Sequence, residues 1–235
     1  MAITFINSTA LAITAGTAST WSILTHSSRM GGAAFIVGLG PASSAVTVST
    51  ITDNAGNVYR RGVARATPKP AAGAELWYAP NISSASTRVS VTLSGNSSGS
   101  MAVGQWNGVS TGTALDVTGS SAITANSTVH GASEITPVNA NSLVVMFSRA
   151  HASTMSPTAL DGGQSAWVTT GGAVRTIGGY IIQTVASTAT GQWRTNTAGT
   201  SGGVQHAEVI AAFNDTATPV VAGGFPGLML CYGVQ

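Results

Sequence analysis

Two segments of the chain match the G-x-S-x-G pattern that surrounds the nucleophile of many serine hydrolases. They span residues 95–99 and 199–203, with Ser97 and Ser201 at their centres. In those enzymes the serine is exposed on a sharp turn between a strand and a helix. Both segments here lie in Gly- and Ser-rich stretches between predicted strands, where chance matches are expected. We therefore predict that neither serine is a nucleophile.

The histidines and the acidic residues form no recognisable catalytic or metal-binding pattern. No histidine has a partner at the spacing typical of metal ligands; the four are His26, His130, His151 and His206. A glycosidase needs two carboxylates at one bond, and the sequence leaves open that Glu75 and Glu208 meet across a sheet. Nothing in their spacing favours such a pair. We predict no catalytic residue, no cofactor and no metal centre.

One oxygen-rich segment could hold a cation. Asp53, Asn54 and Asn57 lie within five residues of one another, and calcium prefers carboxylate and amide oxygens. The same residue types readily bond to their own backbone in Asx turns. We favour the turn over the calcium site.

The basic residues are concentrated in one short segment. Arg60, Arg61, Arg65 and Lys69 are four of the nine basic residues. If residues 58–65 form a strand, Arg61 and Arg65 share one face and Arg60 points to the other. The arginines then either contact an acidic partner surface or protect an edge strand from unwanted pairing. A net charge of +2 is too small a field to predict nucleic-acid binding.

The tryptophans allow two interpretations. A row of exposed aromatic rings would suit a carbohydrate-binding module; the five are Trp21, Trp77, Trp106, Trp167 and Trp193. Because Trp77 and Trp106 fall inside predicted strands, we favour core packing for them.

The composition and the apolar patterns predict an all-β protein. Hydrophobic residues make up 43% of the chain and charged residues only 7%, so Ser, Thr, Gly and Ala must cover much of the surface. Apolar residues alternate over residues 87–94 and form a near-continuous run over residues 143–150. We predict an antiparallel β-sandwich of about a dozen short strands. Its predicted core includes Val89, Val91, Leu93, Leu143, Val145 and Phe147.

Two further details of this sandwich are predicted. The Gly- and Ser-rich residues 95–100 should form a turn between two strands. Residues 21–25 and 33–39 should pair with each other across a turn. We expect one domain over residues 1–217, although the N-terminal strands within residues 1–45 could be an appended arm.

Residues 218–235 form an apolar C-terminal arm. Prolines and glycines break it into short pieces, which favours an extended conformation over a helix. Its large side chains must be covered; they are Phe225, Leu228, Met229, Leu230 and Tyr232. Either the arm adds a strand to its own sandwich or it packs on a neighbouring subunit, and we favour the subunit contact. We find no signal-peptide pattern at the N-terminus, no membrane span and a single cysteine, Cys231. Synthesis in a cytoplasm is expected.

Several segments together resemble a known module. They are DNAGNVY (53–59), WYAPNI (77–82), TRVSVTLSG (87–95), VGQWNGV (103–109), LDVT (115–118) and AEVIAAF (207–213). In this order they resemble a low-charge, Ig-like or jelly-roll-like β-sandwich module of phage virion structural proteins and bacterial extracellular proteins. The resemblance covers about residues 46–214. Gln105 departs from it, since the module carries an acid before that aromatic residue.

The resemblance constrains the fold more than the role. Together with the low charge, the apolar arm and the lack of a signal-peptide pattern, it favours a non-enzymatic virion protein, either a capsid decoration or a tail component. Such a protein would form homo-oligomers and contact a major capsid or tail protein. It would be synthesised in the host cytoplasm and end in the virion, with no nucleic-acid or membrane partner. The alternative is a carbohydrate-binding or adhesion module of a bacterial surface or extracellular protein, which would bind host-surface glycans. A secreted hydrolase is the third and least favoured function.

Overall fold

The computed structural model describes residues 2–26, 30–67, 72–123, 129–131, 134–150, 157–160, 164–169, 175–189, 192–195 and 206–216. Within these ranges the chain forms fourteen strands and no helix. They are β1 (Thr4–Leu24), β2 (Ala34–Pro41), β3 (Val48–Asp53), β4 (Arg60–Thr67), β5 (Ala72–Ala79), β6 (Arg88–Asn107), β7 (Leu115–Ile123), β8 (Val129–Gly131), β9 (Ser142–Ala150), β10 (Pro157–Leu160), β11 (Gln164–Thr169), β12 (Arg175–Gln183), β13 (Gln192–Thr195) and β14 (His206–Phe213). All the strand pairs are antiparallel. The predicted all-β antiparallel sandwich is confirmed.

Strands β1 and β6 form one long ribbon that serves two layers. Residues 4–13 of β1 lie opposite residues 99–107 of β6, and residues 20–24 lie opposite residues 88–92. Residues 99–106 of β6 also pair with β2, whereas residues 89–93 pair with β3. We call the part of the ribbon around residues 99–107 its near half and the part around residues 88–93 its far half. Trp21, Ile23, Val89 and Val91 of the far half cluster with apolar side chains of β2. The ribbon therefore folds back over the sheet to which its near half belongs.

This ribbon corrects two predictions. Residues 95–100 are not a turn, because β6 runs through them without a break. Their small side chains serve packing instead: a side chain at Gly99 would overlap the Trp21 ring and the Gly40 carbonyl. The predicted pairing of residues 21–25 with 33–39 is also wrong, since residues 20–24 pair with β6 and β2 pairs with β5 and β6.

The body of the molecule is a sandwich of two sheets. The central sheet has the order β1-β6-β2-β5-β4, with β3 attached to β6, and the second sheet has the order β11-β12-β9-β14-β7. Leu143, Val145 and Phe147 of β9 pack against β2, β5 and β6 between the sheets. Val89, Val91 and Leu93 belong to the separate cluster under the folded ribbon. The predicted core residues are thus all buried, but they divide between two cores.

Strand β2 is buried along its whole length, because it has a core on each face. Its glycines set how closely the second sheet approaches. A methyl group at Gly38 would overlap the Phe147 ring, and one at Gly40 would press on the Arg149 side chain and the Ser100 hydroxyl. Bare backbone at these two positions lets β9 lie directly on β2.

The outer face of the second sheet has an apolar cover of its own. Val144, Met146 and Ile210 point away from the central sheet and pack with Ile135 and Ala189. An isolated antiparallel bridge joins Ile135 to Ala189. A small sheet of β10, β13 and β8 completes the topology.

The two ends of the described chain meet at one end of the sandwich. The Thr216 N–H donates to the Gly108 carbonyl at 2.9 Å. Gly108 has a φ of 81° and lies against the backbone of Ala2, where a side chain would overlap the Ala2 carbonyl. Among the described residues there is no helix that could cross a membrane.

Candidate functional site

The Asp53 carboxylate is the centre of a hydrogen-bonded cluster at one end of the central sheet. Its Oδ1 accepts the backbone N–H groups of Ala55 at 2.9 Å and Asn57 at 3.1 Å. Its Oδ2 accepts the Asn57 side-chain amide, the Tyr59 hydroxyl at 3.0 Å and the Ser86 hydroxyl at 2.9 Å. Five donors therefore surround one carboxylate, and the predicted Asx turn is confirmed.

Two asparagines extend this cluster to the neighbouring loop. Asn54 Oδ1 accepts the backbone N–H groups of Thr87 at 2.8 Å and Arg88 at 3.0 Å. Asn57 Oδ1 accepts the Ser83 N–H at 3.0 Å. The amide oxygens that a calcium ion would need are used by backbone donors. The described residues contain no group of three His, Cys, Asp or Glu side chains placed to hold a metal.

The cluster shifts the ionisation of both its acids. Burial alone would raise the pKa of Asp53, but hydrogen bonds from Asn57, Ser86 and Ala55 outweigh it and hold that pKa below its usual value. Burial, the Asp53 charge and the hydrogen bond to Asp53 raise the pKa of the Tyr59 hydroxyl. Tyr59 therefore stays a neutral donor to Asp53, and the cluster joins the 53–59 segment to Ser86.

A second polar group lies at the open edge of the central sheet. The Glu75 side chain is 4% exposed and accepts the Val48 N–H at 3.2 Å and the Trp77 indole N–H at 2.8 Å. The guanidinium carbon of Arg61 lies 6.0 Å from the centre of the Trp77 ring, within cation–π range. These side chains border a cleft of about 120 Å³ beside β4 and β5.

The two predicted contact arginines lie differently from what the sequence suggested. Arg61 pairs with Trp77 and Arg65 with Ala74, and a register shift lies between Arg61 and Val63. Because Trp77 and Ala74 are three positions apart on β5, Arg61 and Arg65 point to opposite faces. The predicted shared face is therefore wrong. The register shift is a bulge at Gly62, and in the sequence only the glycine itself indicates it. Both residues are exposed and border the cleft.

Two buried ionisable side chains lie on neighbouring strands of the second sheet, Glu208 on β14 and Arg149 on β9. Glu208 is fully buried on the outer face and accepts the Ser121 hydroxyl at 3.2 Å and the Ser148 hydroxyl at 3.4 Å. Burial raises the pKa of Glu208 to about 8. Arg149 is 1% exposed between the sheets, and burial lowers its pKa to about 10. No described residue forms a hydrogen bond with its Nε or Nη1.

The carboxylates of Glu75 and Glu208 do not converge. Glu75 points to the ribbon side of the central sheet, and Glu208 points to the outer side of the second sheet, as the partners of each show. Two sheets therefore lie between them. The arrangement that a glycosidase requires is not formed by this pair.

Ser97 lacks the environment of a nucleophile. It lies inside β6, is 3% exposed, and its hydroxyl donates to the Ser98 carbonyl at 2.7 Å. It also accepts the Ala42 N–H at 3.1 Å. No strand-to-helix turn surrounds it, since β6 continues on both sides. Ser201 and His151 lie outside the described residues, as do the side chains of His130 and His206.

The three tryptophans with described side chains do not form an exposed strip. Trp21 is buried and donates its indole N–H to the Ser97 carbonyl at 3.2 Å. Trp106 is buried in an aromatic cluster with Phe5 and Tyr180. Trp77 is half-buried and bonds to Glu75. Core packing is confirmed for Trp106, whereas the side chains of Trp167 and Trp193 lie outside the description.

Gln105 occupies the position where the resemblance leads us to expect an acid, and its contacts require an amide. Its side chain is buried, and its amide Nε2 donates to the Met30 carbonyl at 3.1 Å. A carboxylate in this place could not donate to that carbonyl.

The arm residues predicted for a subunit contact all lie outside the described residues, which end at Thr216. They are Phe225, Leu228, Met229, Leu230 and Tyr232. Lys69 and Asp161 also lie outside them. Comparison with known proteins gave no match to any family model, curated protein or solved structure.

Proposed function

We propose that this chain is a non-enzymatic structural protein of a phage virion, a capsid decoration or tail component that self-associates through its chain ends. The observation that carries the proposal is the meeting of both ends at Gly108, where Thr216 is bonded and Ala2 is packed. The C-terminal arm therefore starts beside the N-terminus. One surface of the sandwich can then present both ends to a neighbouring subunit.

The arm has the composition of an interface segment. Residues 220–234 carry no Asp, Glu, Lys or Arg and include five large apolar side chains. Burying each of these side chains is worth roughly 1.5–3 kcal/mol. An arm of this length supplies a good share of the roughly 800 Å² per partner that a stable interface buries. Covering the arm on a second copy removes the aggregation risk that it would carry in water.

The surface beside the arm also suits a contact. The Asn139 amide donates to the Asn214 side chain at 3.0 Å, two residues before Thr216. The neighbouring Val138 is 76% exposed, and its N–H is fixed by Asp116 at 2.8 Å. An exposed apolar side chain next to Asn139, and so close to Asn214 near the end of the described chain, is a suitable contact point for a second subunit.

The surface chemistry of the whole chain agrees with assembly. With 7% charged residues, adjacent copies repel each other little. In a particle such a subunit would contact its own copies and a major capsid or tail protein. No step of this proposal needs a cofactor or a catalytic residue.

The proposal is tested by removing residues 218–235 from the full chain. We expect the truncated protein to keep its melting temperature and to lose self-association, measured by light scattering coupled to size exclusion. A full-length variant with Phe225, Leu228, Met229, Leu230 and Tyr232 changed to Ser is the matched control for length. It should behave like the truncation, and both should fail to enter particles.

Two results would contradict the proposal. A large loss of thermal stability in the isolated truncated subunit would make the arm an intramolecular strand. Normal self-association and normal particle entry without the arm would remove its assembly role.

A further inference from the structure

A cleft opens at the free edge of the central sheet, between the β2–β3 connection and strands β4 and β5. Its volume is about 120 Å³. Since one water occupies about 30 Å³ of liquid, it holds several waters or much of a ring-sized ligand. Ser44, Val46, Thr47, Ala64, Ala66 and Gly73 line it, together with Arg61, Arg65 and Glu75.

The floor of the cleft is a buried carboxylate with acceptor capacity to spare. Glu75 takes one hydrogen bond on each oxygen, from Val48 and from Trp77. An ionised carboxylate has about four acceptor positions, so about two remain. The two N–H groups hold the carboxylate in one orientation. Hydroxyl groups of a ligand are the natural donors to fill the remaining positions.

The rim of the cleft carries a positive charge. Arg61 lies on the face of Trp77 and Glu75, as its pairing with Trp77 shows, and it is exposed. The guanidinium carbon lies over the Trp77 ring at 6.0 Å from its centre, and the guanidinium presents several N–H donors in one plane. Those donors match a carboxylate of the ligand. Val46 and Ala64 add a small apolar wall for C–H groups.

We propose that this cleft binds a sugar unit that carries a carboxylate, as the uronates of acidic polysaccharides do. The ligand hydroxyls donate to Glu75, its carboxylate accepts from Arg61, and its ring packs on Val46 and Ala64. A simple anion would use Arg61 but be repelled by Glu75, and a neutral sugar would leave Arg61 unused. The site is independent of the assembly role proposed above.

The test is a nuclear magnetic resonance titration of the full chain with glucuronate. The indole N–H of Trp77 is the readout, because it is bonded to Glu75 and should shift as the cleft fills. Glucose lacks the carboxylate, and lactate lacks the sugar ring. We expect each of them to bind at least about tenfold more weakly than glucuronate. The Arg61→Gln variant should reduce glucuronate binding to the level of glucose.

Two variants control this result. Arg60→Gln makes the same charge change one residue away on the opposite face and should leave binding unchanged. Ala64→Leu fills the cleft from an exposed position and should abolish binding while the melting temperature stays the same. Equal losses for Arg60→Gln and Arg61→Gln, equal binding of sulfate, or no shift of Trp77 with glucuronate would each overturn the proposal.

Discussion

The ionisable side chains of Asp53, Glu208 and Arg149 are wholly or partly removed from solvent, and their hydrogen-bond support differs greatly: Asp53 is half-buried, whereas Glu208 and Arg149 are fully buried. Asp53 receives five hydrogen bonds and fastens the 53–59 segment to the loop at Ser86. From the described part of the chain, Glu208 receives two, both from serines, and Arg149 finds no partner for Nε or Nη1. Burial of a charge is costly unless hydrogen bonds or an opposite charge compensate it. Glu208 and Arg149 should therefore limit stability, whereas Asp53 should contribute to it.

Glu208 should make stability fall at alkaline pH. Burial raises its pKa from 4.5 to about 8, so between these values the native state keeps a proton that the unfolded chain releases. Its stabilising contribution is complete below about pH 4.5 and is lost as the pH rises through about 8. Between about pH 4.5 and about pH 8, the range of this titration, the melting temperature of Glu208→Gln should fall less than that of the wild type. Glu134→Gln, at an exposed position, should follow the wild type; identical profiles for all three proteins would refute the role of Glu208.

Arg149 should be replaceable by an apolar side chain of similar length. Arg149→Met removes a buried cation whose Nε and Nη1 have no partner among the described residues, and it keeps the methylene groups that pack on Gly40. We expect the free energy of unfolding in urea to stay equal or to rise by up to about 3 kcal/mol. Arg88→Met, at an exposed position, should change it little. A loss of more than about 1 kcal/mol for Arg149→Met alone would mean that the cation is compensated in the folded protein.

At the scale of the elements, the contact of β2 with β9 decides how the two sheets fit. Gly38 and Gly40 alternate on the face that meets Phe147 and Arg149. Glycine destabilises a strand because its backbone loses more entropy on folding. Glycines at alternate positions of a buried strand therefore indicate a packing requirement. The space that two side chains would fill is occupied by the opposite sheet.

Gly38→Ala should therefore destabilise the sandwich although alanine is the better strand residue. The added methyl group overlaps the Phe147 ring, and overpacking of this kind costs about 1–3 kcal/mol in urea unfolding. Gly95→Ala is the matched control, because only Val46 lies within 4 Å of its added methyl group, at 3.7 Å. The double variant Gly38→Ala with Phe147→Leu should recover part of the loss. An unchanged melting temperature for Gly38→Ala would show that the sheets can separate freely.

Patterns of alternation were enough to predict the strands but not their partners. The runs at 87–94 and 143–150 are buried strands because period-two alternation and a continuous apolar run report the burial of one face or both. The break predicted at 95–100 failed, because Gly and Ser suit a close packing site as well as a turn. The Asp53 turn was predictable from local chemistry. The Glu75 cleft was not, since Val48, Arg61 and Glu75 meet only through the register of separate strands.

The described chain forms three stacked layers, and two of these layers share a pair of strands. The folded ribbon, the central sheet and the second sheet enclose two cores, and β1 and β6 take part in the first two layers. Neither of these two layers can separate without breaking the hydrogen bonds between β1 and β6. The two layers should therefore unfold together, and the chain ends at Gly108 are held by the same central sheet.

The long ribbon also sets the order in which the protein can fold during synthesis. Thr4 pairs with Asn107 and Leu24 with Arg88, so β1 has no partner until its far neighbour has left the ribosome. At about 5–20 residues per second, the first strand waits several seconds with its apolar side chains exposed. Distant pairing of this kind is typical of sheets that fold in milliseconds to seconds. Nascent chains stalled before Asn107 should accordingly be the species most dependent on chaperones and most exposed to proteases.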